Sequence, residues 1–66
     1  MTSIELAQNE NFQAIAVIEA VKLLAEKNGV DSIDLMKEFV SGVNESLMTC
    51  VAEMVAFAAK QTAAAL

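Results

Sequence analysis

The sequence contains no histidine, arginine, tryptophan, tyrosine or proline, and Cys50 is its only cysteine. Without histidine, the usual general base near neutral pH and the commonest metal ligand are both missing. Without arginine, the chain lacks the planar guanidinium group that binds phosphate or guanine through two parallel hydrogen bonds. A disulfide framework is excluded because it needs at least two cysteines. These absences predict a protein that is not an enzyme and that uses no cofactor and no metal.

Positive charge is also scarce, because four lysines face nine carboxylates and give a net charge of −5. A phosphate backbone repels such a chain, and no basic stripe along the sequence offsets the repulsion. We therefore expect no binding to nucleic acid.

What the sequence has in excess is apolar surface, because 56% of its 66 residues are hydrophobic. A chain this short forms a single domain, predicted here over residues 1–66, and intrinsic disorder is excluded by the high hydrophobicity. A domain of about 60 residues buries only about 60% of the surface of its unfolded chain. The surplus apolar surface is therefore expected to lie against another chain.

Neither end of the sequence indicates a membrane segment. Residues 1–5 have no basic cluster and no apolar run, so we expect no signal peptide, and a single thiol is typical of a reducing cytoplasm. Residues 47–66 are long enough for a span, but Glu53 and Lys60 would each cost roughly 2.5–3.5 kcal/mol within the bilayer. The expectation is a cytoplasmic protein that does not bind membranes, with a membrane-active helical peptide as an alternative.

Residues 12–28 carry a helical pattern in which polar side chains occupy one narrow stripe. A helix that is apolar around most of its girth is usually buried on more than one side, so two or more neighbours are implied. Before this helix, Thr2 and Glu5 have the spacing of a capping box, which predicts a short helical turn. The main helix then starts afresh at Asn9 or Asn11.

The first helix is predicted to end in a tight turn over residues 29–31. Gly29 after Asn28 is typical of a left-handed helix end, and Asp31 and Ser32 are both good first caps for a second helix. The result is a helical hairpin.

The second helix carries a heptad pattern whose apolar positions alternate in steps of three and four. These positions, called the seam below, are Ile33, Met36, Val40, Val43, Leu47, Cys50, Met54, Phe57, Gln61 and Ala64. A loop would normally shift the phase, so the unbroken pattern predicts one helix over residues 32–65. A break near Gly42 is the alternative, because glycine inside a helix costs about 1 kcal/mol relative to alanine.

The two helices have unequal lengths, roughly 25 Å and 50 Å at about 1.5 Å per residue. Residues 49–65 would then have no partner within the chain, so the predicted fold is an all-α helical hairpin with a long second helix. Such hairpins are expected to assemble as an antiparallel homodimer that resembles a four-helix bundle.

Charge suggests a register for the two long helices, which would cross near Ala56 and Phe57. Glu53 of one chain then lies opposite Lys60 of the other, a contact that selects orientation but contributes under about 1 kcal/mol. Cys50 sits on the seam and is interpreted as a small buried hydrophobe. The predicted interface comprises Cys50, Ala52, Glu53, Met54, Ala56, Phe57, Ala59, Lys60 and Ala63.

The function expected from these features is that of a small acidic helical interaction protein, an adaptor, a regulator or an assembly subunit. Besides binding a second copy, it would bind another protein through the acidic residues Glu19, Glu26, Asp34, Glu38 and Glu45. Asp31, Asp34 and Glu38 are interpreted as the acids usual at a helix start and not as a metal site. Methionine and phenylalanine side chains can also line an adaptable groove for a partner helix or an apolar ligand, here Met36, Met48, Met54, Phe12, Phe39 and Phe57.

Residues 29–34, Gly-Val-Asp-Ser-Ile-Asp, indicate an alternative function. They resemble the attachment motif of acyl carrier proteins, in which an Asp-Ser-Leu/Ile sequence is followed by an acidic residue. The resemblance implies that Ser32 carries a phosphopantetheine arm and that an acidic helix recruits partner enzymes. The chain departs from that family in having a short turn before the serine and a long alanine-rich helix after it.

Overall fold

The computed structural model describes residues 2–65, so Met1 and Leu66, the two ends of the predicted domain, lie outside the described residues. Within that range all regular structure is helical, which confirms the all-α class. The four helices are α1 (Ser3–Gln8), α2 (Glu10–Asn28), α3 (Ser32–Ser41) and α4 (Glu45–Ala65). The molecule measures 34 × 20 × 18 Å, which leaves no room for a helix of about 50 Å.

Two side-chain caps define the start of the chain. The Thr2 hydroxyl accepts from the Glu5 backbone N–H at 3.1 Å and begins α1, as the capping-box spacing predicts. Asn9 ends α1 and begins α2, because its backbone N–H donates to the Leu6 carbonyl while its Oδ1 accepts from the Phe12 N–H at 3.0 Å. Of the two predicted starts, Asn9 is the one used.

The turn between α2 and α3 also forms as predicted. Gly29 adopts a left-handed conformation with φ of 66°, and the Val30 N–H donates to the Ala25 carbonyl at 3.0 Å. This arrangement satisfies carbonyls that the end of α2 would otherwise leave unpaired. Asp31 Oδ1 then accepts from the backbone N–H groups of Ile33 and Asp34 and begins α3.

The prediction of one continuous helix over residues 32–65 is wrong, and the break near Gly42 is what forms. Gly42 closes α3 in a left-handed conformation with φ of 72°, and Asn44 begins α4 by accepting from the Leu47 N–H at 3.0 Å. The cap at Asn44 offsets much of what the break costs. The heptad spacing of the sequence continues across the joint of residues 42–44, although the helix does not.

The core lies between α2 and α4. Val21 and Val51 are almost completely buried, at 0% and 1% exposure, and they form a cluster with Ala20, Leu47 and Val55. On α4 the buried side chains are four residues apart, so the core face shares only Leu47 with the seam. Its residues are Leu47, Val51, Val55 and Ala59. Since α1 also packs against α4, the expectation that residues 49–65 have no partner within the chain is wrong.

Candidate functional site

A groove with a volume of about 650 Å³ runs between α2 and α4 on one side of the core. It is called the α2–α4 groove below. Its walls come from one stripe of each helix and are almost entirely apolar. The lining residues are Phe12, Ile15, Ala16, Glu19, Ala20 and Leu23 on α2, with Cys50, Glu53, Met54, Phe57 and Ala58 on α4.

Differences in side-chain size produce the trough. Ala16 and Ala20 sit at the bottom of the α2 wall, where Ala20 belongs to the buried core and Ala16 packs against it. The larger side chains of Ile15, Leu23 and Phe57 stand at the rim, and Phe57 is 63% exposed. Small residues below and large exposed ones above leave an open apolar channel, a surface that soluble proteins usually cover.

The charge of the groove has a single sign. Glu19 and Glu53 are the charged side chains among its lining residues, and both are exposed. They lie on opposite walls, on a chain whose net charge is −5. A ligand in this groove therefore meets apolar contacts along its length and carboxylates at the edges.

Within residues 2–65, no group of three metal-ligating side chains comes together, and no buried side-chain polar atom is without a hydrogen-bond partner. Cys50 is half-buried on the groove wall, so its thiol is less enclosed than the predicted seam position implies. The groove offers apolar surface for burial and two carboxylates for orientation.

The predicted interface residues fall into several places. The α2–α4 groove takes Cys50, Glu53, Met54 and Phe57, whereas Ala52 and Ala56 line a second groove that also contains Ala7 of α1. Lys60 is exposed, and Ala63 is half-buried.

Ala59 requires a correction, because its exposure is 0% within a single chain. It belongs to the core face of α4, so two chains that both keep this fold cannot bring Ala59 into contact with each other. The steps of four that place Ala59 with Val51 and Val55 explain why the seam did not reveal this.

The five acidic residues predicted to face a partner are all exposed, and they are Glu19, Glu26, Asp34, Glu38 and Glu45. Two of them have a local structural environment. Glu19 lies on the groove, and Glu38 Oε1 accepts from Asn44 Nδ2 at 2.7 Å across the α3–α4 joint. Asp31, one of the three spaced carboxylates, is the cap of α3.

Ser32 is the first residue of α3 and is half-buried. The helix that follows it ends at Ser41, so the chain after the carrier-like motif is a short helix and not the long one expected. The long alanine-rich helix α4 still follows this short helix, so both departures from the carrier family remain.

Of the α2 wall of the groove, the sequence predicted Phe12 and Glu19 but not Ile15, Ala16, Ala20 and Leu23. The apolar girth of α2 predicted burial on several sides, and α2 does contact α1, α3 and α4. Even so, Ile15, Ile18 and Leu23 are exposed. The signal that could have found them is the alternation of isoleucine and leucine with small alanines along one stripe.

Comparison with family models, with curated proteins and with solved structures finds no match for this chain. None of the helices in residues 2–65 combines the length and the apolarity that crossing a membrane requires. The fold and the site define a small acidic all-α protein with an open apolar groove between α2 and α4.

Proposed function

We propose that this protein is a non-enzymatic interaction protein that binds a basic amphipathic helix of a partner in the α2–α4 groove and that also self-associates. The observation that carries the proposal is the groove itself, a channel of about 650 Å³ with Ile15, Leu23 and Phe57 exposed at its rim. Covering this groove with another apolar surface lowers the free energy of the system, because apolar area is removed from water.

The dimensions of the groove match a helix. At about 1.5 Å per residue, its α2 wall, from Phe12 to Leu23, extends over roughly 17 Å and its α4 wall, from Cys50 to Ala58, over roughly 12 Å. A helix whose apolar anchors stand at i, i+3 or i+4, and i+7 places them over about 10 Å, so three anchors fit within both walls.

Charge favours one class of helix. With Glu19 and Glu53 on opposite walls, lysine or arginine side chains flanking the apolar anchors find a carboxylate on either side. The net charge of −5 attracts such a partner at long range and repels an acidic one. The partner class is therefore a basic amphipathic helix.

The wall residues also suit a partner whose anchors vary in shape. Met54 is flexible and polarizable, and Phe12 and Phe57 supply large aromatic faces, so the groove can adjust to different apolar side chains. Phe57 is expected to be the main anchor, because aromatic residues dominate the binding energy at many protein interfaces.

The test is a binding titration with two synthetic helical peptides. Both carry leucine anchors at i, i+4 and i+7, and one has lysine and the other glutamate on its polar face. Fluorescence anisotropy should show binding of the lysine peptide with an affinity that falls as salt is raised, and no binding of the glutamate peptide. Equal affinity for both peptides would exclude the proposed charge selection.

Matched variants locate the binding site. Phe57→Ala should weaken binding of the lysine peptide at least about tenfold, as expected for an aromatic anchor. Val40→Ala, at a residue that is even more exposed but lies outside the groove, should leave the affinity unchanged. If both variants bind as tightly as the native protein, the α2–α4 groove is not the binding site.

A second candidate function is that of an acyl-carrier-like protein with phosphopantetheine on Ser32. It is favoured by the position of Ser32 at the start of a short helix, where Asp31 caps the first turn and Asp34 supplies an acidic side chain. Intact mass after incubation with a phosphopantetheinyl transferase and coenzyme A tests it. Modification should add the mass of one arm and should disappear in Ser32→Ala, whereas an unmodified native chain excludes this function.

A further inference from the structure

We propose that the joint of residues 42–44 is a hinge through which two copies of this chain exchange α4. In the exchanged dimer, residues 32–65 of each copy form one straight helix, and each α4 packs on the α2 of the other copy. The inference rests on the self-association proposed above and gives it a geometry. The register about Ala56 and Phe57 is the competing geometry.

The heptad pattern keeps one phase on both sides of the hinge. The seam keeps its three-and-four spacing from Ile33 to Ala64, although the helix is interrupted between Ser41 and Glu45. Helices that never join have no reason to share a phase, because each needs only its own apolar face. Shared phase is expected when the two segments also exist as one helix.

The two seam residues nearest the hinge, Val40 and Val43, are uncovered, whereas Met36 packs against the core and Leu47 is buried. Ile33, Val40 and Val43 are 65%, 74% and 81% exposed, and none of them lines the α2–α4 groove. An antiparallel pair of straight helices that cross near Gly42 brings Val40 of one copy beside Val43 of the other. The exchange therefore covers apolar side chains that a single copy leaves in water.

The exchange keeps the contacts of the core between α2 and α4. The contacts of Val51 and Val55 with Ala20 and Val21 form equally well between two copies, so the core is conserved. What changes is the joint, where the caps at Gly42 and Asn44 are replaced by helical hydrogen bonds. Each groove is then built from α2 of one copy and α4 of the other, and it is incomplete without both.

The first experiment reads the connectivity directly. Leu23→Cys places a second thiol on the groove wall opposite Cys50, and a short bismaleimide is used to link the two. On a denaturing gel, a link within one chain runs as a monomer, and a link between exchanged chains runs as a covalent dimer. The dimer fraction should rise with protein concentration.

The second experiment replaces the hinge residue Gly42 with alanine and with asparagine, and uses a variant of Gly29 as the control. Gly42→Ala should raise the dimer association constant at least about a hundredfold, because alanine favours the helical joint in each of the two chains and disfavours the left-handed conformation. A Cβ at Gly42 would meet no atom within 4 Å, so a clash is not the cause. Gly42→Asn should leave the dimer fraction at the native level, since asparagine tolerates the left-handed conformation.

Gly29→Ala is the matched control. Gly29 has nearly the same conformation, with φ of 66°, and equal space around it, but no helix continues in phase across its turn. This variant should lose stability without gaining dimer.

The outcomes separate this inference from the proposed self-association. Dimers of Gly42→Ala with interchain links support the exchange. Dimers with only intrachain links would overturn the exchange and leave self-association standing, and monomers at every concentration would overturn both. If Gly42→Ala does not fold, the Leu23→Cys chain with its native joint still decides, because purely intrachain links at every concentration would overturn the exchange.

Discussion

Asn44 and Glu38 hold the two sides of the α3–α4 joint together: Asn44 Nδ2 donates to Glu38 Oε1 at 2.7 Å, while Asn44 Oδ1 accepts from the Leu47 N–H at 3.0 Å. One amide side chain therefore begins α4 and also ties it to the last turn of α3. The joint is therefore held by local hydrogen bonds, and the Gly42 N–H adds another by donating to the Phe39 carbonyl at 3.1 Å.

We expect Asn44→Ala to lower the free energy of unfolding by about 1–2 kcal/mol, because the cap of α4 and the bond to Glu38 are both lost. Asn44→Ser keeps an oxygen acceptor for the Leu47 N–H and places no second charge beside Glu38, so it should cost less than half as much. Urea denaturation followed by circular dichroism measures both. Equal losses in the two variants would show that the cap contributes little.

The core makes a second prediction. Val21→Ala and Val51→Ala should each lower the free energy of unfolding by roughly 2 kcal/mol, because each leaves a cavity where a buried side chain was. A domain of this size has only about 3–5 kcal/mol in total, so either variant should be partly unfolded near 40 °C. Val40→Ala, at a position that is 74% exposed, is the control and should change stability by less than about 0.5 kcal/mol at low protein concentration.

The sequence predicts the helix caps well but not the joint at Gly42. The caps at Thr2, Asn9, Gly29 and Asp31 were predictable because each depends on a few neighbouring residues. The joint at Gly42 was mispredicted because a heptad pattern records which residues share a face and not whether the helix is continuous. The local signal of the break is Asn44, whose side chain caps α4.

The full lining of the groove could not be predicted from the sequence, for a different reason. Methionine and phenylalanine indicated an adaptable surface, and Phe12, Met54 and Phe57 do line it. Which α2 residues face them depends on how α1 and α2 pack around α4, a tertiary arrangement that no spacing within one helix encodes. Ala59 illustrates the same point, because only the packed chain shows that it is enclosed.

Cys50 provides a native reporter of groove occupancy. It is half-buried on the α4 wall, so a helix bound in the groove should shield its thiol. With the lysine peptide at ten times its dissociation constant, the rate of reaction with a thiol reagent should fall about tenfold, since about a tenth of the grooves stay free. The glutamate peptide should leave the rate unchanged. Binding of the lysine peptide without any loss of thiol reactivity would place the peptide elsewhere on the molecule.

Charge variants of α4 distinguish the two dimer geometries. A crossing about Ala56 and Phe57 pairs Glu53 with Lys60 of the second copy, so Glu53→Lys or Lys60→Glu alone should weaken the dimer and the double variant should restore it. The exchanged dimer crosses near Gly42 and makes no such pair. We therefore expect all three variants to have dimer association constants within about threefold of the native value, since exposed charges rarely contribute more than that.

Light scattering over a range of protein concentrations measures these association constants. Glu26→Lys is a suitable additional variant, because it changes the net charge as Glu53→Lys does but lies on α2, outside the α2–α4 groove and away from the hinge. A loss confined to the single variants at Glu53 and Lys60, with recovery in the double variant, would reject the exchange and establish the crossing about Ala56 and Phe57. Equal dimerisation of all four variants, combined with interchain links to Cys50 in the Leu23→Cys chain, would place the two-fold axis at the hinge.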